Sequence, residues 1–206
     1  MLLAYLLGSL LGSLIVGRLR GGVDIRTMGS GNAGGTNALR TQGVGFAAAV
    51  MLIDVGKGWL AAAWLPYWSI GSASPDGGLS QAWLVTACGA AVTIGHVYPV
   101  WYGFRGGKGA ATLIGVLAGV RPDALLPVLG VWLAVVMLTG FVGLATMLAG
   151  LAFPAYLVLE GGPDAALLTL GCAMALFVVF THRSNIQRML VGTENRARRL
   201  WLLRPR

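Results

Sequence analysis

Seven apolar runs divide this chain, and nearly every charged residue falls in the segments between them. The runs are Leu2–Gly17, Val44–Leu65, Ala82–Val100, Ala110–Val120, Ala124–Leu138, Phe141–Leu159 and Ala165–Phe180. A helix that crosses a bilayer needs about 20 mainly apolar residues, with about 17 as a lower bound. The pattern therefore predicts an all-α polytopic membrane bundle of about seven transmembrane helices. The fourth and fifth runs are short and can form a hairpin that only partly crosses, so the range is five to seven spans. Only 11% of the 206 residues are charged, against about a quarter in a soluble domain. Mean hydropathy is +0.76. The length suits a single integral membrane domain over residues 1–206, with no internal repeat. Met1 leads straight into Leu2-Leu3-Ala4-Tyr5 without the basic start of a cleaved signal peptide, which reads as a retained first span.

The net charge of +8 raises nucleic acid as a partner, but the basic residues lie between or after apolar spans rather than on one soluble face. Membrane topology accounts for them better. With seven spans, one side receives Arg18, Arg20, Arg26, Arg40, Arg105, Lys108 and the arginines from Arg183 to Arg206. The other side receives Arg121 with Asp76, Asp123, Glu160 and Asp164. Excess Lys and Arg marks the cytoplasmic side, so the N-terminus is expected outside and the C-terminus in the cytoplasm.

Three polar segments then share the cytoplasmic face. In the first, Gly29-Ser30-Gly31-Asn32-Ala33-Gly34-Gly35-Thr36-Asn37-Ala38-Leu39-Arg40, the glycines allow backbone amides to line a concave nest that suits phosphate. Ser30, Thr36 and Asn37 add side-chain donors, and Arg40 adds a planar fork for two phosphate oxygens. The same composition also suits an interfacial loop whose arginine meets lipid headgroups. In the second, Arg105-Gly106-Gly107-Lys108-Gly109-Ala110-Ala111-Thr112 places glycines, a lysine and a threonine at the start of an apolar helix, a physical recipe for an anion site. It is no Walker nucleotide loop, because Gly109 follows Lys108 where Ser or Thr is required. His96 closes the preceding span, as a helix-end hydrogen bonder or a catalyst. In the third, His182, Asn185, Arg188 and Glu194 follow the last span. If that helix continues, His182 and Asn185 share a face. His182 then serves as base or anion donor, or simply bonds backbone carbonyls. The final arginines, Arg198, Arg199, Arg204 and Arg206, are expected to meet anionic lipid.

Asp54 and Lys57 lie three apart within the second run. Ionisable groups in a span are costly and pair toward the bundle interior, so a structural ion pair is expected. Cys88 and Cys172 fall in apolar runs and read as core residues. Neither the two histidines nor the seven acids stand at metal-ligand spacing, and no metal or cofactor is expected. No G-x-S-x-G elbow occurs, and neither histidine begins an H-x-x-x-x-D pattern.

Taken together, the three segments resemble the bacterial membrane acyl-phosphate:glycerol-3-phosphate acyltransferase family. Gly29 to Arg40 is similar to that family's G-S-G-N-P-G-A-T-N-x-x-R, with Ala33 for Pro and Gly35 for Ala. Gly95 to Thr112 matches G-H-x-[FY]-P-x-x-x-x-F-[KR]-G-G-K-G-x-A-T, and His182 to Glu194 matches H-x-x-N-I-x-R-L-x-x-G-T-E with Met189 for Leu. Asp54-x-x-Lys57-Gly58 is similar as well. The resemblance implies transfer of an acyl group from acyl phosphate to sn-glycerol 3-phosphate, giving lysophosphatidate and inorganic phosphate, the opening step of phospholipid synthesis. It implies a monomer in the bacterial inner membrane with a cytoplasmic active site. It also implies that neither acyl-CoA nor acyl carrier protein is the direct donor.

Within that resemblance, Ser30, Arg40, Lys108, His182 and Asn185 are the candidate catalytic residues. Gly29, Gly31, Asn32, Thr36, Asn37, His96, Gly106, Gly107, Gly109, Thr112, Arg188 and Glu194 are the candidate substrate contacts. Glu194 is expected to anchor the C-terminal segment through a basic or backbone partner. Direct attack by glycerol 3-phosphate is favoured over a Ser30 acyl-enzyme, because acyl phosphate is already activated and no base adjoins Ser30. An anion transporter is the alternative class. It would place its binding groups near the midplane, often in duplicated halves, and neither trait is present.

Overall fold

The computed structural model describes residues 1–68, 80–162 and 164–203. Asp76, Arg204 and Arg206, which entered the topology count above, lie outside the described residues. Among the described residues ten α-helices run in chain order: α1 Leu2–Gly8, α2 Gly12–Leu19, α3 Gly35–Gln42, α4 Val44–Ala63, α5 Gln81–Val97, α6 Ala110–Val120, α7 Leu125–Thr139, α8 Val142–Leu159, α9 Ala165–Thr181 and α10 Arg183–Leu190. No strand occurs among the described residues. In lipid a helix satisfies its own backbone, so apolar runs of this length form helices.

Among the described residues the candidate spans number four to six. Four helices are long and apolar enough by themselves. Two further pairs, α1 with α2 and α9 with α10, qualify only if each bent pair is one span; their bends are 47° and 51°. The helix α6 has 11 residues, roughly 16 Å at 1.5 Å per residue, so it is too short to cross the roughly 30 Å hydrocarbon core alone. Where one unbroken first helix was expected, Ser9 to Leu11 interrupt it. The last helix does not run straight on past Thr181: it turns at His182, which ends α9 and begins α10.

Two compact units result, Met1–Pro122 and Asp123–Arg206. In the first, α1 packs on α5 and α4 on α6 through small residues. A Cβ on Gly58 would collide with the carbonyl of Thr112, and one on Gly115 with the carbonyl of Val55. Helices in a bilayer gain no hydrophobic advantage from meeting each other, so close backbone approach over small residues holds them instead. In the second unit α7, α8 and α9 pack in sequence, and α10 lies against α8 and α9. Gly140, in the left-handed region at φ 76°, ends α7. Asp164 caps α9 by accepting from the Ala166 amide at 2.8 Å.

The break between α1 and α2 is held by the ion pair of α4. Lys57 Nζ lies 2.9 Å from Asp54 Oδ1 and donates to the carbonyls of Gly8 at 2.9 Å and Leu10 at 2.7 Å. Asp54 Oδ1 accepts from the Gly12 amide at 3.1 Å. The ammonium thus meets carbonyls freed where α1 ends, and the carboxylate meets an amide freed where α2 begins. Both signs agree with the helix dipoles. The expected buried pair is present, and what it fixes is a broken helix as well as the packing. Of the two cysteines, Cys88 is buried as expected, whereas Cys172 is exposed on α9.

Candidate active site

The first segment begins with a 3-10 turn, Ile25–Thr27, whose cap is Asp24. Gly29 and Gly31 have φ of 56° and 71°, values that a residue with a Cβ adopts only at a cost. The loop they shape is wound around one side chain. The Asn37 amide nitrogen lies within 3.0 Å of the carbonyls of Ile25, Met28 and Asn32, and its Oδ1 accepts from the Ser30 amide at 3.0 Å. Asn37 is buried. Its polar atoms face the loop interior rather than a ligand, so the geometry departs from the expected substrate contact. The Gly31 amide is likewise spent on the carbonyl of Met28 at 3.0 Å. Ser30, Thr36 and Arg40 are exposed, and Thr36 and Arg40 stand one turn apart on the same side of α3.

The second segment is tied to the end of α5. The Gly106 amide donates to the carbonyl of Val97 and the Gly107 amide to that of His96, each at 3.1 Å. These two amides were expected to cradle an anion; they instead fasten the loop to the helix. Lys108 follows, half-buried, and Gly109 at φ 88° turns the chain into α6. Thr112 is fully buried beside α4, and its hydroxyl has no hydrogen-bond partner among the described residues. That is an interior position rather than the expected substrate-facing one.

His96 is also interior. Its Nδ1 lies 2.9 Å from Lys57 Nζ and 3.4 Å from Asp54 Oδ1. Nδ1 thus faces both members of the ion pair, and the other ring nitrogen, Nε2, points away from them. That nitrogen abuts Gly107, where an added Cβ would overlap it. His96 therefore joins the Asp54–Lys57 pair to the second loop, a place the sequence did not disclose.

The third segment lies in the second unit. His182 Nδ1 is 2.8 Å from the carbonyl of Val178, which fixes the proton on Nδ1 in the neutral ring and leaves Nε2 as the acceptor nitrogen. Glu194 takes Asn185 Nδ2 on one oxygen and Arg188 Nε on the other, both at 2.6 Å. The expected basic partner of Glu194 is thus Arg188. Asn185 rests against Gly143 of α8, where a Cβ would crowd it. Beyond Glu194 the chain folds back: Arg196 stacks on Phe141 and on Trp201, at 4.3 and 4.1 Å, and donates to the carbonyl of Thr139 at 3.2 Å. Sequence reasoning gave Arg196 no such role. The neighbouring aromatics Phe141 and Trp201 were its signal.

Arg26 was another omission. It was counted as one topological charge, yet its guanidinium meets both oxygens of Asp24, with Nη2 to Oδ2 at 2.8 Å and Nε to Oδ1 at 3.0 Å. Its Nη1 donates to the carbonyls of Tyr102 at 3.2 Å and Arg105 at 3.1 Å. The same hydrogen bonding holds the Asp24 carboxyl below its ordinary range and the Arg26 guanidinium above its own. The D-x-R spacing in Asp24-Ile25-Arg26, just before a glycine loop, was the available signal. Among the described residues no group of three or more His, Cys, Asp or Glu stands close enough to hold a metal ion.

Apolar helices joined by firmly clamped polar segments define the class: a helical integral membrane protein. A family model described as glycerol-3-phosphate acyltransferase matches residues 1–192. A glycerol-3-phosphate acyltransferase of Chlorobaculum parvum is 39% identical over 94% of this chain and 93% of its own. One from Rhizobium meliloti is 42% identical over 93% and 88%. Among solved structures, the chain is similar to crystal structures of PlsY, described as an integral membrane glycerol 3-phosphate acyltransferase. Its glycerol 3-phosphate form gives a TM-score of 0.82 at 35% identity, covering 95% of this chain and 92% of that one. Its lysophosphatidic acid form gives 0.81 at 34% identity, covering 96% and 94%. The chain belongs to the glycerol-3-phosphate acyltransferase family, and specifically to its PlsY branch of membrane enzymes.

Proposed function

We propose that this protein transfers an acyl group from acyl phosphate to the 1-hydroxyl of sn-glycerol 3-phosphate. The hydroxyl oxygen attacks the acyl carbonyl carbon, and the bond from that carbon to the phosphate oxygen breaks. The hydroxyl proton passes to His182 or to a substrate phosphate. Lysophosphatidate and inorganic phosphate leave. The observation that carries this reading is the likeness, over nearly the whole chain, to a PlsY in a glycerol 3-phosphate form and a lysophosphatidic acid form.

In this reading residues 1–206 act as one acyltransferase domain and as a monomer. They lie in the bacterial inner membrane with about seven spans, the N-terminus outside, and the three polar segments facing the cytoplasm. Ser30, Asn32, Thr36 and Arg40 bind substrate phosphates, and Gly31, its amide held by the Met28 carbonyl, shapes the loop between them. Lys108, with Gly109 beside it, and Arg40 offset the charge that develops on the departing phosphate. His182 and Asn185 hold a phosphate or polarise the attacking hydroxyl, with Arg188 and Glu194 fixing Asn185. Asn37, His96, Gly106, Gly107 and Thr112 shape the loops from within, as their burial or internal hydrogen bonds suit. The acyl tail stays in the bilayer while its reactive head reaches the loops. Holding two anions in line supplies much of the rate.

Acyl phosphate is already activated, and among the described residues no side-chain base is hydrogen-bonded to Ser30 Oγ, which supports direct attack over an acyl-enzyme. Incubation with acyl phosphate alone, followed by intact-mass measurement, tests this. No adduct is expected, whereas an acyl group on Ser30 would refute direct attack. Supplying acyl-CoA or acyl carrier protein in place of acyl phosphate should give no product, and turnover with either would overturn the donor assignment.

A further inference from the structure

Arg26 ties the two glycine segments of the first unit to each other. It stands in the 3-10 turn Ile25–Thr27, directly before the first loop. The carbonyls that it binds, of Tyr102 and Arg105, flank Gly103 and Phe104, whose φ values of 63° and 59° form a left-handed turn. Phe104 is the one described residue other than glycine with positive φ. Such a conformation persists only when its surroundings hold it, and Arg26 Nη1 grips it from both ends. Gly106 follows Arg105 directly. Asp24 in turn grips Nε and Nη2 of the same guanidinium, so the group has one orientation.

We infer that Arg26 is a positioning residue for the acyl transfer. It sets the distance between the segment carrying Ser30 and Arg40 and the segment carrying Lys108. The inference rests on the proposed function, in which those segments hold two anions that react with each other. Without the guanidinium each loop keeps its own internal clamps, Asn37 in the first and the Val97 and His96 carbonyls in the second. Each anion is still bound, but the pair is no longer held in line. A misplacement of about 1 Å at a reacting centre costs on the order of 100-fold in rate. The signature is thus a loss in kcat with little change in KM for either substrate.

The experiment uses the full chain in lipid nanodiscs with acyl phosphate and glycerol 3-phosphate. Arg26→Ala is expected to lose on the order of 100-fold in kcat while both KM values stay near those of the unaltered chain and the chain still folds, with a modestly lower Tm. Added methylguanidinium should restore part of that kcat, since a planar fork can re-enter the gap. Arg26→Lys should stay impaired, because an ammonium cannot reach Asp24 and two carbonyls with one planar fork. Asp24→Asn leaves the guanidinium but loosens its grip, and should lose kcat to a smaller extent. Near-normal kcat in Arg26→Ala would overturn the inference, as would a loss that follows a fall in Tm and is not restored by methylguanidinium. If Arg26→Ala does not fold, Asp24→Asn decides: unchanged kcat there also overturns it. An unaltered chain without turnover would instead remove the proposed function, and this inference with it.

Discussion

Lys57 Nζ sits 2.9 Å from Asp54 Oδ1 inside the membrane-spanning part of the chain, and each of the two groups also serves one side of the break between α1 and α2. Two opposite charges one turn apart on α4 thus replace hydrogen bonds that an unbroken first helix would have made for itself.

Removing one partner strands the other. Lys57→Met leaves the Asp54 carboxylate without its ammonium and the carbonyls of Gly8 and Leu10 without a donor. A loss of about 3–5 kcal/mol is expected, as for other buried pairs broken on one side. The double change Asp54→Asn with Lys57→Met should cost less than Lys57→Met alone. Thermal unfolding in detergent checks both, and an equal or larger loss in the double variant would contradict the pairing.

The α4–α6 crossing depends on bare backbone. Gly58→Ala and Gly115→Ala each put a methyl group into a carbonyl on the facing helix. Each should cost about 1–3 kcal/mol, the usual range for overpacking. Gly45→Ala, where a Cβ would meet nothing within 4 Å, is the control and should leave unfolding temperature unchanged.

Asn37→Asp keeps the shape of the side chain but removes the donor that faces three carbonyls. It should open the first loop and lower turnover at least as much as it lowers stability, since the loop loses its internal clamp. Limited proteolysis near residues 28–34 is expected to speed up. Unchanged cleavage in that window would show that the loop does not depend on Asn37.

Glu194→Gln retains an oxygen for Asn185 but weakens the bond from Arg188, which a charge on the carboxylate now strengthens. Hydrogen bonds to charged groups contribute about 1.5–3 kcal/mol. If that support is needed in the transition state, kcat/KM falls by roughly 10- to 100-fold. Steady-state kinetics measure it, and a full retention of kcat/KM would remove Glu194 from the supporting role.

Asp24 gives a pH dependence of known sign. Its carboxyl is held below the ordinary value of 3.8, first by the side-chain hydrogen bond with Arg26, with burial opposing. A carboxyl lowered in the folded state adds stability above its unfolded value and loses it as pH falls through the folded one. The Asp24 contribution should therefore be constant near neutrality and disappear only below about pH 4. Unfolding measured against pH should show this acid loss in the native chain and less of it in Asp24→Asn. Identical acid limbs would contradict the Arg26 contact.

The helices were legible because apolar runs of this length have no other stable form in lipid, and the pairing of Asp54 with Lys57 followed from the cost of a lone charge there. Glu194 with a basic partner followed from charge as well. Other features were hidden for identifiable reasons. The break at Ser9 to Leu11 has no proline or charge nearby, since the residues that hold it belong to α4. Glycine content shows that amides can be reached but not where they point, and at Gly106 and Gly107 they point to α5. Asn37 and Thr112 look alike in sequence whether they face a ligand or the interior. Whether His182 continues a helix or turns it depends on packing that the local residues do not encode.

The purified chain in lipid nanodiscs, given acyl phosphate and glycerol 3-phosphate, should release inorganic phosphate and form lysophosphatidate in equal amounts. Lys108→Ala should abolish both while still folding and inserting. Phosphate release without lysophosphatidate, near-normal turnover in Lys108→Ala, or no turnover by the folded native chain would rule out the proposed reaction.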